Sequence, residues 1–224
     1  MSFIAIDISL DNFNLLIGNK SKIIFSKTEK VYKDRSNILF ETLHYIQNEK
    51  IFDFKNIEKI YSTIGPGNYN GIRISISTIK ALNLVYKKLD ISGISSLDAL
   101  IRSQAVSDKN SCAVIKSSPG YLYTQWYDKF LNPISNIEIL SLENKIKLPV
   151  EKTSFRLIGN GSEELAMKLN YKISINNNNI ITPKGLWHSV NNLIKNNTNI
   201  NPEPLYLRSD NIVKPSFWKK APSV

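Results

Sequence analysis

Gly65, Gly67 and Gly71 fall within seven residues, in the stretch TIGPGNYNGIRISIST. Glycine is otherwise scarce: the chain has 9 in 224 residues, about half the usual ~7% share. Such a cluster can cradle phosphate, because a glycine turn entering a helix offers free N–H groups to an anion. It can also be a tight strand-to-helix joint, since Gly and Pro-Gly permit positive φ and sharp turns. A P-loop requires G-x-x-x-x-G-K-[ST], whose lysine and hydroxyl reach phosphates and metal. Here Ile72 and Arg73 follow Gly71, so both groups are missing. A dinucleotide fingerprint requires G-x-G-x-x-G, and Asn70 stands where its third glycine belongs. The favoured reading is a structural joint of Gly65, Pro66, Gly67 and Gly71, with direct phosphate contact as the alternative.

Other chemistry has few residues to work with. His44 and His188 are the only histidines and form no H-x-x-x-H pair, so neither reads as part of a metal site. No G-x-S-x-G nucleophile elbow is present. Cys112 is the only cysteine; an intrachain disulfide is excluded, and its apolar run SCAVI makes it a small core residue. Asp7 closes the apolar run FIAIDIS. It is either an acid of a phosphate loop, now vestigial, or a strand-end carboxylate bonded to backbone N–H groups. The tail KPSFWKKAPSV joins Lys214, Lys219 and Lys220 to Phe217 and Trp218. Aromatics amid bases can stack on nucleobases; a docked or frayed terminus is the commoner case.

Lys plus Arg number 29 against 19 Asp plus Glu, and 29 − 19 leaves a formal charge of +10. That surface suits RNA or a phosphate-rich partner, although a chain this rich in Lys, Asn and Ile also fits an AT-rich gene. The opening MSFIAIDISL has no basic n-region and its apolar run breaks at Asp7, unlike a signal peptide. No apolar run approaches the ~20 residues of a membrane helix. A cytoplasmic protein without membrane contact is expected.

The elements that must position these residues follow from periodicity. FIAIDIS, FNLLIG and KIIFSKT read as a three-strand meander. A helix over 36–50 follows, with Ser36 as N-cap, then the strand IEKIYSTIG, the glycine turn and a helix over 72–89. DISGIS reads as a strand, capped into another helix by Ser95 or Ser96. After residue 106 the order repeats: SCAVIKS, YLYTQWYD and NPISNIEIL as a meander, then FRLIGNG, a helix over 162–169, the interrupted strand KISINNNNIITP and a helix over 185–196. The expected fold class is α/β, a duplicated two-lobe mixed sheet with lobes 1–106 and 107–224. Identity between the halves is negligible.

The ordered series AIDIS, IGPGNYNGIRISISTIKALN, ISGISSLDAL, LIGNG and EPLYLR resembles the TsaB family. That family is the non-catalytic paralogue in the bacterial machinery that puts threonylcarbamoyl on the adenosine next to the tRNA anticodon. Its patterns G-P-G-[ST]-[FY]-T-G-[LIV]-R, G-[VI]-S-S-L-[DE]-A-L, [LV]-G-[ND]-G and P-x-Y-L-R align with 65–73, 93–100, 157–161 and 204–208. The resemblance implies the actin/hexokinase-like (ASKHA, ribonuclease H-like) architecture, with the chain end packing back on the N-terminal lobe. It also implies a TsaD-like catalytic paralogue, a TsaE-like ATPase and tRNA bound through the assembled complex as partners, with a homodimer as the alternative pairing.

Two departures bear on chemistry. The family's first loop reads D-T-S, and here it is Asp7-Ile8-Ser9. The second-lobe D-A-R-R-G-E-[VI]-Y is replaced by 115–123, where Lys116 stands near the missing acid. Nucleotide binding in this architecture uses acids at both loops to hold Mg²⁺, so no cofactor and no catalytic residue are expected. Family members pair through their two N-lobe helices, which implies an interface over Ile72, Ser75, Ser77, Thr78 and Ala81; packing against the sheet is the alternative use of that helix. A divergent ATPase or phosphotransferase of the same fold, and a free-standing RNA-binding protein, stay as the other two readings of function.

Overall fold

The computed structural model describes residues 1–30, 34–86, 89–105, 107–149, 155–170 and 173–207. The first sheet holds β1 (Ser2–Asp7), β2 (Asn12–Asn19), β3 (Ile23–Lys30), β4 (Lys59–Gly65) and β5 (Asp90–Ser95) in the order β3-β2-β1-β4-β5. The second holds β6 (Asn110–Lys116), β7 (Tyr121–Tyr127), β8 (Glu138–Ser141), β9 (Phe155–Ile158) and β10 (Ser174–Asn176), in the order β8-β7-β6-β9-β10. Within each sheet the first three strands pair antiparallel, and the next two add parallel to the first. The two halves therefore share one topology despite their unrelated sequences. This is the duplicated architecture expected from the order of elements.

Among the described residues five α-helices cover the sheets: α1 (Arg35–Asn48), α2 (Tyr69–Val85), α3 (Ser96–Arg102), α4 (Ser162–Leu169) and α5 (Pro183–Lys195). Strand periodicity sorts the core into layers, because alternate side chains point to opposite faces. Ile4 and Ile6 of β1 pack with Leu39 and Ile46 of α1 and Ile79 of α2. Phe3 and Ala5 point the other way, into a cluster with Leu97 and Leu100 of α3, Leu186 and Val190 of α5, and Ala113 and Ile115 of β6. Cys112 and Val114 of β6 turn outward to Leu165 and Ala166 of α4. The order of layers is α1/α2, first sheet, α3/α5, second sheet, α4. Cys112 is fully buried, as its apolar run suggested.

The middle layer is also bonded. Asp98 of α3 accepts from Arg102 Nε at 2.9 Å and from Ser189 Oγ of α5 at 2.6 Å, while Arg102 Nη2 donates to the Leu131 carbonyl at 3.0 Å. Trp187 of α5 donates its indole N–H to the Asn19 carbonyl at 2.9 Å. The segment after α5 returns to the N-terminal half: Leu205 N–H donates to the Ile64 carbonyl at 2.9 Å, and Gly93 N–H to that of Ile200 at 2.7 Å.

Several element boundaries differ from expectation for local reasons. Ser36 lies inside α1, whose N-cap is Asp34 in a left-handed conformation. α2 starts three residues earlier than the pattern suggested because Asn68 caps it, accepting from Gly71 N–H at 2.9 Å. Gly71 is thus a helical residue, not part of the turn. NPISNIEIL is extended only over Glu138–Ser141, with Pro133 making a single bridge to Tyr127, since proline cannot donate to a ladder. Ser95 caps α3.

Candidate functional site

Two places are built well enough to carry function: the C-terminal end of β1, and the outer face of α1 and α2. Asp7 ends β1 with no solvent exposure. Its Oδ1 accepts from Ser9 N–H at 3.0 Å, Ser9 Oγ at 2.6 Å and Thr63 Oγ1 at 2.8 Å. Its Oδ2 accepts from Asn14 Nδ2 at 3.1 Å. Ser96, the first residue of α3, donates to Ser9 Oγ at 2.8 Å. Burial pushes the Asp7 carboxyl above the ordinary carboxylate range, against the lowering effect of the Ser9, Thr63 and Asn14 donors.

The glycine joint closes the same loop from outside. A Cβ on Gly67, which sits at φ +152°, would meet the Ser9 carbonyl oxygen at 2.2 Å, and one on Gly71 would meet that of Ile8 at 2.0 Å. Only glycine lets the start of α2 approach this closely. Asn68 N–H donates to the Ser9 carbonyl at 2.6 Å. Arg35 Nη1 donates to the Ile8 and Leu10 carbonyls at 3.3 and 2.9 Å. Gly65-Pro66 is a cis peptide, and Gly65 has φ +109°. At the helix start, then, the Asn68 N–H and the Gly71 N–H, two groups an anion would use, are already bonded within the chain. Ile8 is fully buried among the residues packed with α1 and α2, a burial worth roughly 1.5–3 kcal/mol.

The second lobe repeats the device. A Cβ on Gly159 would meet the Val114 carbonyl oxygen at 2.3 Å, and Asn160 Oδ1 accepts from Lys116 N–H at 2.8 Å. Lys116 Nζ pairs with Glu164 at 2.8 Å; both are exposed, so the pair contributes about 0–1 kcal/mol. Mg²⁺ and a nucleotide do not fit these residues. Protein donors engage the buried first-lobe carboxylate, three on Oδ1 and one on Oδ2, and the second-lobe position carries the cation of Lys116. Among the described residues no three His, Cys, Asp or Glu side chains group to hold a metal. His44 is exposed on α1 beside Asn48. His188 is half-buried on α5, where burial, Lys184 and Arg102 hold its pKa down.

The outer face is of a different kind. Between α1 and α2 runs an open groove of about 610 Å³, lined by Phe40, Leu43, Ile74, Ser77, Ala81, Leu82 and Val85 with Thr78 and Arg73 at its sides. Phe40 is 59% exposed, Val85 71% and neighbouring Leu84 77%. Such a concentration of large apolar side chains in solvent is a mark of an interaction surface. Of the five residues expected at an interface, Ser77 and Ala81 are exposed on this groove and Thr78 is mostly buried within it. Ile72 and Ser75 are buried instead: Ile72 packs with Ile64 and Ile76, and Ser75 Oγ donates to the Gly71 and Ile72 carbonyls. Phe40, Leu43 and Val85 were missed from the sequence, because a strip that continues the core face of each helix looks the same whether covered or bare. The basic aromatic tail (Lys214, Phe217, Trp218, Lys219, Lys220) and Arg208 lie outside the described residues.

The family model "TsaD: tRNA N6-adenosine threonylcarbamoyltransferase" matches residues 23–163, more than half of the chain. The chain belongs to the TsaD-type family, in its TsaB/YeaZ branch. It is 29% identical over 174 residues to the tRNA threonylcarbamoyladenosine biosynthesis protein TsaB of Buchnera aphidicola subsp. Schizaphis graminum (strain Sg), covering 72% of this chain and 80% of that one. It is 25% identical to the TsaB of Bacillus subtilis (strain 168), over 57% of this chain and 55% of the relative. YeaZ from Pseudomonas aeruginosa superposes with a TM-score of 0.80 at 14% identity, over 92% of this chain and 99% of that one. At that identity the match speaks for the fold.

Proposed function

We propose that this TsaB-type chain is a non-catalytic scaffold subunit of the bacterial machinery that transfers threonylcarbamoyl to the adenosine beside the tRNA anticodon. The role is carried over from relatives named as tRNA threonylcarbamoyladenosine biosynthesis proteins. The chain supports a metal-bearing TsaD-like paralogue through the α1/α2 groove, with a TsaE-like ATPase and tRNA completing the assembly in the cytoplasm. A homodimer through the same groove is the pairing in the paralogue's absence. The lobes 1–106 and 107–224 divide the work, the first carrying the partner face.

One observation carries this reading. The loops that would hold a nucleotide are closed by the chain's own groups, while about 610 Å³ of apolar groove stays open on the outer helices. A divergent ATPase or phosphotransferase needs the reverse. Reconstitution tests the proposal: tRNA modification by the purified paralogue and ATPase, with and without this chain. Modification is expected to require the chain and to survive Lys116→Ala in it. Modification that proceeds fully without the chain, or is abolished by Lys116→Ala, contradicts the scaffold role.

A further inference from the structure

Tyr69, Arg73 and Tyr206 form an exposed cluster at the N-terminal end of α2. The Arg73 guanidinium lies 4.0 Å from the centroid of the Tyr69 ring, and its Nη2 donates to the Tyr206 hydroxyl at 3.3 Å. The two rings are 6.1 Å apart and tilted at 46°. Tyr69 is 48% exposed and Tyr206 58%. The Arg73 contact, and after it the Tyr69 hydroxyl, hold the Tyr206 phenol below its ordinary value. Tyr206 is fixed from behind because its neighbour Leu205 is packed on Ile64, Ile72 and Ile76. Two aromatic rings and a guanidinium are thus held in one arrangement, with both rings about half exposed among the described residues.

We infer that this cluster is a stacking platform for unpaired nucleotides of RNA, so that the chain touches tRNA directly and not only through its partners. A nucleobase between two rings needs roughly 7 Å, twice an aromatic contact distance. At 6.1 Å and tilted, Tyr69 and Tyr206 cannot sandwich a base, which leaves the outer face of Tyr206 for it. Arg73 adds cation–π and charge where the backbone passes. Charge complementarity favours RNA over a second protein surface: the chain carries +10 overall, and Arg73 places a cation within the cluster itself. The inference rests on the reading that the chain acts on tRNA.

The test uses the full chain without partners. A fluorescein-labelled oligoadenylate of about ten nucleotides is titrated by anisotropy at about 50 mM and about 200 mM salt. Saturable binding that weakens with salt is expected. Tyr206→Ala should weaken it about tenfold, as loss of one base–aromatic stack does, with the thermal melt unchanged. Tyr206→Phe keeps the ring and should stay within about twofold. Absence of saturable binding, or binding unmoved by Tyr69→Ala and Tyr206→Ala together, overturns the inference. If those variants instead lose capture of the TsaD-like paralogue while RNA binding stays, the cluster belongs to the protein interface; this inference then fails while the proposed function stands.

Discussion

Asp7 decides between an enzyme and a scaffold at the scale of a single residue. A carboxylate that holds Mg²⁺ needs lone pairs free for water or metal, and four protein donors occupy this one. Removing it leaves those donors in a buried site, each costing about 1–3 kcal/mol when unpaired. Rotation of the hydroxyls offsets part of that loss. Asp7→Ala is expected to destabilise the fold by about 3 kcal/mol, read as a fall in the denaturant midpoint at unchanged slope. A change within about 0.5 kcal/mol would mean the network is incidental. Calorimetry of the wild-type chain with Mg-ATP should give no saturable heat up to the millimolar range, where binding is worth only about −4 kcal/mol. Micromolar binding abolished by Asp7→Ala would restore the nucleotide site.

At the scale of elements, the glycine joint is a device for bringing α2 onto the end of β1. Gly71→Ala drives a methyl group into the Ile8 carbonyl. Overpacking of that kind costs about 1–3 kcal/mol, and the upper end is expected because the obstacle is backbone. Gly120→Ala meets nothing within 4 Å and carries only its left-handed φ of +77°, a penalty of about 1–2 kcal/mol. Chemical denaturation of both variants should rank Gly71→Ala as the more damaging; the reverse order would place the joint's importance elsewhere. The strands and helices themselves were legible because each buried strand is a run such as FIAIDI or SCAVI bounded by turn residues. What the pattern hid was capping and reach. Asn68 is an ordinary polar residue until it is seen accepting from Gly71, and Ile8 resembles a lost hydroxyl until its burial among α1 and α2 gives it a core role. The burial of Ile72 and Ser75 depends on rotation of α2 about its axis, which small-residue content does not report.

Across the molecule, the layers built by the described residues leave one face unfinished. Among those residues α3 and α5 are covered by both sheets and α4 closes the second, whereas α1 and α2 are covered on one side only, and their outer side keeps Phe40, Leu84 and Val85 in solvent. Whether this groove docks the catalytic paralogue is therefore the decisive point. Ala81→Arg, at an exposed position lining the groove, measures it most directly. A long charged side chain in a close helix contact costs several kcal/mol, enough to move a micromolar complex out of detection. An exposed position changes the fold's own stability by only about 0.5 kcal/mol. Pull-down of the TsaD-like paralogue and a thermal melt of the free variant are run side by side. Lost capture with an unchanged melt is expected; retained capture with tRNA modification intact would rule out docking at this groove.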